Sequence, residues 1–246
     1  MENKEKNLYE SGGKIEKEKN RLQTFEYPFL VSKELIGEVI EDKTIIDLGS
    51  GPNTALNKFA KEHKANYVAF DINHLFLKEQ QKENKNVVQG TMEALPFKDE
   101  AADFIHARFV LMHLQPEQRK KAINEAIRIS KNRTFFLEYD WKTIQGSEII
   151  NRFRDFTINF MNLRGIDPFM GQKLKKEVEK VLENKKALFQ ISEKRFNQGP
   201  NAYYDEVLAL AKSTKEALIN MKQEELLKSI DTIISELEIE LRKRES

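Results

Sequence analysis

Thr44-Ile45-Ile46-Asp47-Leu48-Gly49-Ser50-Gly51-Pro52-Asn53-Thr54 is the stretch on which the fold turns. Its first five residues form a short β-branched and aliphatic run, the composition of a strand. Gly49-Ser50-Gly51-Pro52 closes that run, and a helical pattern resumes through Ala55-Leu56 and Phe59-Ala60. The order is strand, tight turn, helix. Two glycines remove the Cβ atoms that would hold a ligand away from the backbone. The turn also aims the amides of a helix N-terminus at whatever binds there.

Outward from this stretch the rhythm repeats. Tyr67-Val68-Ala69-Phe70 ends in Asp71, Val87-Val88 ends near Gly90, Phe104-Ile105-His106-Ala107 follows Asp103, and Thr134-Phe135-Phe136-Leu137 precedes Glu138. Helical segments separate them, notably Pro116 to Ser130. Such alternation predicts an α/β, Rossmann-like, doubly wound and mainly parallel sheet, with ligands bound beyond the carboxyl ends of the strands. After Trp141 the rhythm changes, because Glu148 to Arg164 and Gly171 to Asn184 both read as helices before a further strand candidate, Ala187 to Phe196. We expect one domain over 1–246, with an N-terminal helical cap over 1–40 and a helical lid over 142–186. The tail from Ala202 carries a helical stripe of Leu226, Ile230, Ile233, Ile234, Leu237 and Leu241. Leu237, Ile239 and Leu241 also alternate, which leaves a final strand open.

Composition removes several classes of function. With 41 basic and 40 acidic residues the net charge is +1, which gives no electrostatic footprint for duplex nucleic acid. Hydrophobic residues make up 39% of the chain, too many for a disordered one. There is no cysteine, so disulfides, thiolate metal sites and cysteine nucleophiles are excluded. No apolar run approaches the roughly 20 residues that span a bilayer, and Met1 to Asn20 is too charged for a secretory signal. A cytoplasmic protein without a metal site is the expectation.

A lone G-x-G is weak evidence, since glycines after a strand often only make a turn. Asp71 strengthens it: it lies 20 residues beyond Gly51, at the end of the next strand, where a carboxylate accepts the hydroxyls of a ribose. A dinucleotide site would want a third glycine near Thr54. Asp47, just before the glycines, would repel a phosphate and suits a positively charged ligand. An aminoacyl sulfonium nucleoside with a free ribose diol, S-adenosylmethionine, fits both acids.

Ile45-Ile46-Asp47-Leu48-Gly49-Ser50-Gly51 resembles the first motif of class I S-adenosylmethionine-dependent methyltransferases. Phe70-Asp71-Ile72 resembles their second, Gly90-Thr91-Met92-Glu93-Ala94-Leu95-Pro96-Phe97 their third, and Ala102-Asp103-Phe104-Ile105-His106-Ala107-Arg108 their fourth. The resemblance covers about Lys14 to Trp141. It implies that Gly49, Ser50 and Gly51 approach the methionine moiety, that Asp71 holds the ribose while Ile72 packs on adenine, and that Thr91 and Met92 reach the adenine amine edge. Two departures stand out. Thr91 replaces a frequent acidic residue, and Lys131-Asn132-Arg133 stands where the family often has a Pro-Gly-Gly turn.

Downstream, Glu138-Tyr139-Asp140-Trp141 and Gly165-Ile166-Asp167-Pro168-Phe169-Met170-Gly171 look like a bacterial subgroup that acts on small molecules and peptide natural products. In that subgroup an early helix resembling Glu18-Lys19-Asn20-Arg21-Leu22-Gln23 closes over the cofactor, which implies that Arg21 pairs with the methionine carboxylate.

Methyl transfer is an in-line displacement at a carbon already activated by sulfonium, so the protein supplies alignment, desolvation and control of the acceptor's protonation. His106, at the end of the fourth strand, is a candidate base. The alternative is a packed histidine that offers only its carbonyl. His113 reads as structural, and His63 and His74 lie in helical, exposed contexts. Alternation sends Glu138 and Asp140 to one side of a strand end, where two carboxylates would draw a cation, with Tyr139 and Trp141 adding cation–π contact. The alternative for Glu138 is that it caps a neighbouring helix or pairs with Arg108. Arg108 and Asn162 are further candidates to line the acceptor pocket.

The resulting expectation is N-methylation of a small-molecule or peptide acceptor in natural-product metabolism, a narrower form being an enzyme similar to the one that modifies plantazolicin. O-methylation, nucleic-acid methylation and a non-catalytic cofactor-binding partner are the other readings. Nucleic acid is disfavoured by the charge balance and by the lack of an Asn-Pro-Pro-Tyr-type motif after the fourth strand. The oligomeric state is left open.

Overall fold

The structure, a computed structural model, describes residues 31–34, 36, 37, 40–52, 55–183 and 200–245. Among the described residues the five strands are β1 (Thr44–Leu48), β2 (Asn66–Asp71), β3 (Val87–Gln89), β4 (Ala102–Arg108) and β5 (Ser130–Leu137). They form one sheet in the order β3-β2-β1-β4-β5, and every neighbouring pair is parallel. Helices α1 (Ala55–Glu62), α2 (His74–Gln80) and α3 (Pro116–Ile129) connect the strands. The doubly wound arrangement expected from the sequence is the one observed.

Alternate residues of the strands feed two cores. Ile46, Leu48, Phe70, Ile105 and Ala107 face one side with Ala122, Ile123 and Ala126 of α3. Ile45, Tyr67, Ala69 and Phe104 face the other with Leu56, Phe59 and Ala60 of α1. Burial on both faces is why the strands read as nearly continuous apolar runs. The same alternation places Asp47, Asp71 and His106 on the Ile45 face, at the carboxyl half of their strands.

β5 is longer than expected at its start. Lys131-Asn132-Arg133 lies inside it rather than in a turn, because α3 runs to Ile129 and the strand begins at Ser130. A register shift against Ala102–Phe104 absorbs the difference, and the Asn132 amide donates to Asp103 Oδ1 at 3.0 Å.

Beyond β5 lie α4 (Glu148–Leu163), α5 (Met170–Leu182), α6 (Pro200–Asn220) and α7 (Glu224–Glu245). The last resolves the ambiguous tail as helix: Leu237 is fully buried while Ile239 is 53% exposed, a difference that helical phase explains. Among the described residues no helix is long and apolar enough to cross a membrane. The strand candidate Ala187 to Phe196 and the early helix containing Arg21 lie outside the described residues.

The segment joining α4 to α5 is sewn onto the strand exits by backbone. Asp167 N–H donates to Met112 O at 2.9 Å, Trp141 N–H to Pro168 O at 3.1 Å, and Gly171 N–H to Tyr139 O at 2.9 Å. A Cβ on Gly171 would sit 2.8 Å from both Asp140 N and Tyr139 C, main-chain atoms just beyond the end of β5. Gly171→Ala is therefore expected to destabilise the protein by about 1–3 kcal/mol, the scale of overpacking, read from chemical denaturation. An unchanged midpoint would show that the clasp can shift.

Candidate active site

The glycine loop leaves β1 in a backbone form that suits glycine, with Gly49 at φ +68° and Gly51 at φ +58°. Gly49 and Ser50 N–H both donate to Phe70 O, at 2.8 and 3.1 Å, which ties the loop to the exit of β2. There Asp71 Oδ2 accepts from Gly51 N–H at 2.9 Å and Oδ1 from Asn73 N–H at 2.8 Å. Gln80 supports the loop from α2 by donating to Gly51 O at 3.1 Å. Burial raises the Asp71 pKa above the usual carboxylate value, against the backbone N–H groups that lower it. Each Asp71 oxygen retains a lone pair for a further donor.

Ile72 follows with its side chain 62% exposed. An exposed branched apolar residue beside a buried carboxylate is what a nucleoside would cover: ribose hydroxyls on Asp71, base on Ile72. Met92 is buried and Thr91 exposed beyond β3, where Thr91 Oγ1 accepts from Glu93 N–H at 3.3 Å. Ser50 is buried within the loop.

Asp47 differs from expectation. Its Oδ2 accepts from Tyr67 OH at 2.8 Å, and its Oδ1 lies 2.8 Å from His106 Nδ1. His106 Nε2 lies 2.9 Å from Ser32 Oγ. All four side chains are buried. Burial, followed by the charge of Asp47, raises the Tyr67 pKa well above normal, which keeps it a hydrogen donor. Asp47 is thus a structural anchor under the loop, its charge met by protein rather than presented to a cation. His106 has both ring nitrogens hydrogen-bonded to buried side chains. Tyr67 and Ser32 carry no motif; strand register brings Tyr67 to this network, and the helical segment at 31–34 brings Ser32.

The acceptor-side residues also part company. Glu138 turns inward: its Oε1 accepts from Val110 N–H at 3.0 Å and Leu111 N–H at 2.7 Å. These contacts of Glu138 cap the 3-10 turn Leu111–His113. Burial pushes its pKa up to about 8. Asp140 turns outward, and its Oδ1 accepts from Lys142 N–H at 3.1 Å and from the Gln172 amide at 2.8 Å. The two carboxylates do not converge, because Glu138 continues the strand's alternation while Asp140 begins the 3-10 turn Trp141–Thr143. Arg108 lies 5.8 Å from the ring centroid of Phe109. Asn162 is exposed near the C-terminal end of α4. Asp167, held below its usual pKa by Lys173 and the Phe169 N–H against the opposing effect of burial, belongs to the clasp.

Phe109 was not legible from motifs. It has φ +57°, rare for a non-glycine residue, and its ring stacks on Tyr139 at 4.2 Å with an 11° interplanar angle. Trp141 continues the row, 5.9 Å from Tyr139.

Residues 46–137 match the family described as a methyltransferase domain. That match spans the sheet from β1 to β5. No curated protein matches it. Among solved structures, a candidate sarcosine dimethylglycine methyltransferase from Galdieria sulphuraria has 16% identity and a TM-score of 0.54, covering 86% of this chain and 79% of its own. A SAM-dependent methyltransferase and candidate histamine N-methyltransferase from Thermotoga maritima has 17% identity and a TM-score of 0.52, covering 68% and 76%. Phosphoethanolamine N-methyltransferase 2 from Haemonchus contortus, in complex with phosphomonomethylethanolamine and S-adenosylhomocysteine, has 12% identity and a TM-score of 0.52, covering 89% of this chain and 49% of its own. At such identities the likeness is one of fold. The glycine loop, the carboxylate of Asp71 and the exposed Ile72 fit S-adenosylmethionine as a methyl donor.

Proposed function

We propose that this methyltransferase acts on an amine nitrogen of a small molecule or peptide. The observation that carries the reading is the stacked, half-buried pair Phe109 and Tyr139 at the exits of β4 and β5, backed by the buried Trp141, beside the loop that would hold the methyl donor. Aromatic faces attract an ammonium, by about 0.5–2 kcal/mol according to desolvation. Asp140 flanks the row, and its Oδ2 has no partner among the described residues. The named activities of the three structural neighbours are consistent with an amine acceptor.

When bound, S-adenosylmethionine supplies a sulfonium-activated methyl group. Gly49, Ser50 and Gly51 would line its methionine moiety, Asp71 its ribose and Ile72 its adenine. The aromatic row orients the acceptor and excludes water. In this reading no side chain takes the acceptor's proton, and the amine's lone pair is freed by solution pH. Activity is therefore expected to rise with pH through the acceptor's own ionisation.

Assay of radiolabelled methyl transfer to a panel of amines, alcohols, carboxylates and nucleic acids tests the reading. Amines alone are expected to be labelled; labelling confined to hydroxyl or carboxylate acceptors would refute it. In the same assay Asp140→Asn is expected to raise the acceptor KM by about 5- to 10-fold with cofactor affinity preserved.

A further inference from the structure

The turn after β4 is held in a form that its own sequence does not favour. Phe109 donates its N–H to Leu137 O at 2.8 Å, one residue beyond the end of β4, and then enters the left-handed region at φ +57°. A bulky residue there persists only when its surroundings impose it. Val110 and Leu111 point their N–H groups away from any neighbouring strand, and both find the single oxygen Oε1 of Glu138. From behind, buried Arg119 donates to Leu111 O at 3.2 Å and to Leu114 O at 2.9 Å.

Each side of this turn serves the site. Toward the donor loop, a Cβ on Gly49 would lie only 2.3 Å from Val110 Cγ2, so Val110 occupies the room that the glycine vacates. Toward the acceptor, Phe109 lies flat on Tyr139, which in turn meets Trp141. Glu138 as a whole is of intermediate exposure, but its Oε2 is sealed from solvent and has no hydrogen-bond partner. Leaving one carboxyl oxygen buried and unpaired costs stability, a cost that a purely stabilising cap would avoid.

We propose that Glu138 is a positioning residue for methyl transfer: its carboxyl fixes the Phe109–Leu111 turn, and through it the Val110 wall of the donor loop and the Phe109–Tyr139 acceptor face. The proposal rests on the methyltransferase reading of the site, and it assigns Glu138 no contact with acceptor or cofactor.

The test uses the full chain and two probes, S-adenosylhomocysteine titrated by calorimetry and the near-ultraviolet circular dichroism of the aromatic row, which contains the chain's one tryptophan. Glu138→Gln keeps an oxygen for both N–H groups and is expected to leave both readouts within about twofold of the parent. Glu138→Ala is expected to lower S-adenosylhomocysteine affinity about tenfold and to weaken the aromatic signal at unchanged far-ultraviolet signal. If the alanine variant does not fold, Glu138→Asp, too short to reach both N–H groups, takes its place with an expected loss of about threefold. Parent-like affinity and spectrum in the alanine or aspartate variant would overturn the proposal, as would a glutamine variant as impaired as alanine. Failure of the parent to bind S-adenosylhomocysteine would instead count against the cofactor assignment, and the spectroscopic arm would still decide the role of Glu138.

Discussion

Replacing Asp71 by alanine is expected to weaken binding of S-adenosylhomocysteine by about 1–3 kcal/mol, roughly 5- to 150-fold. The upper part of that range is favoured by what Asp71 does before any ligand arrives. Its carboxylate holds Gly51 N–H at the end of the donor loop and Asn73 N–H at the start of α2, and Asn73 in turn caps that helix by accepting from Leu75 N–H at 2.9 Å. Truncation therefore removes the ribose acceptor and also releases the loop that approaches the methionine moiety. Calorimetric titration measures the loss, with NAD as the control ligand. Tight NAD binding with no response to S-adenosylhomocysteine would contradict the assignment of the site, and parent-like affinity in the alanine variant would remove Asp71 from it.

The second large effect is on stability. A carboxyl whose folded pKa is about 8 against an ordinary value of 4.5 holds its proton in the folded state over a window where the unfolded chain releases it. Between those two pH values the folded state binds more protons than the unfolded one, so stability falls as pH rises, then levels off above about pH 8. The whole window corresponds to a loss on the order of 4–5 kcal/mol from this one group. Glu138→Gln carries no titrating proton and lacks this slope, so the difference between variant and parent should move in the variant's favour from pH 5 to about pH 8 and level off by pH 9. Urea midpoints of the two proteins across that range measure it. Parallel curves would show that Glu138 ionises normally in the fold.

Much of the donor half of the site was legible in the sequence. The Gly49-Ser50-Gly51 turn follows β1 and Asp71 ends β2 as the sequence predicts, because a strand, its exit and the following helix are neighbours in the chain. The acceptor half was less legible. Glu138 and Asp140 share a parity that predicts one common face, but that holds only while the strand continues, and a 3-10 turn begins at Asp140.

By itself, then, the sequence determined the alternation of elements, the parallel sheet and the donor loop, since periodicity of two or 3.6 is a property of short segments. Only the tertiary structure decided which polar groups meet. Asp47 and His106 are 59 residues apart and His106 and Ser32 are 74 apart; strand register, set by the packing of two buried faces, brings the first pair side by side at β1 and β4. Glu138 finds Leu111 across 27 residues, and the left-handed Phe109 is imposed by that pairing rather than by its own preference. The tail Leu237, Ile239 and Leu241 fitted either period until α7 packed against its neighbours. Burial of long-range partners, absent from any local window, made that choice.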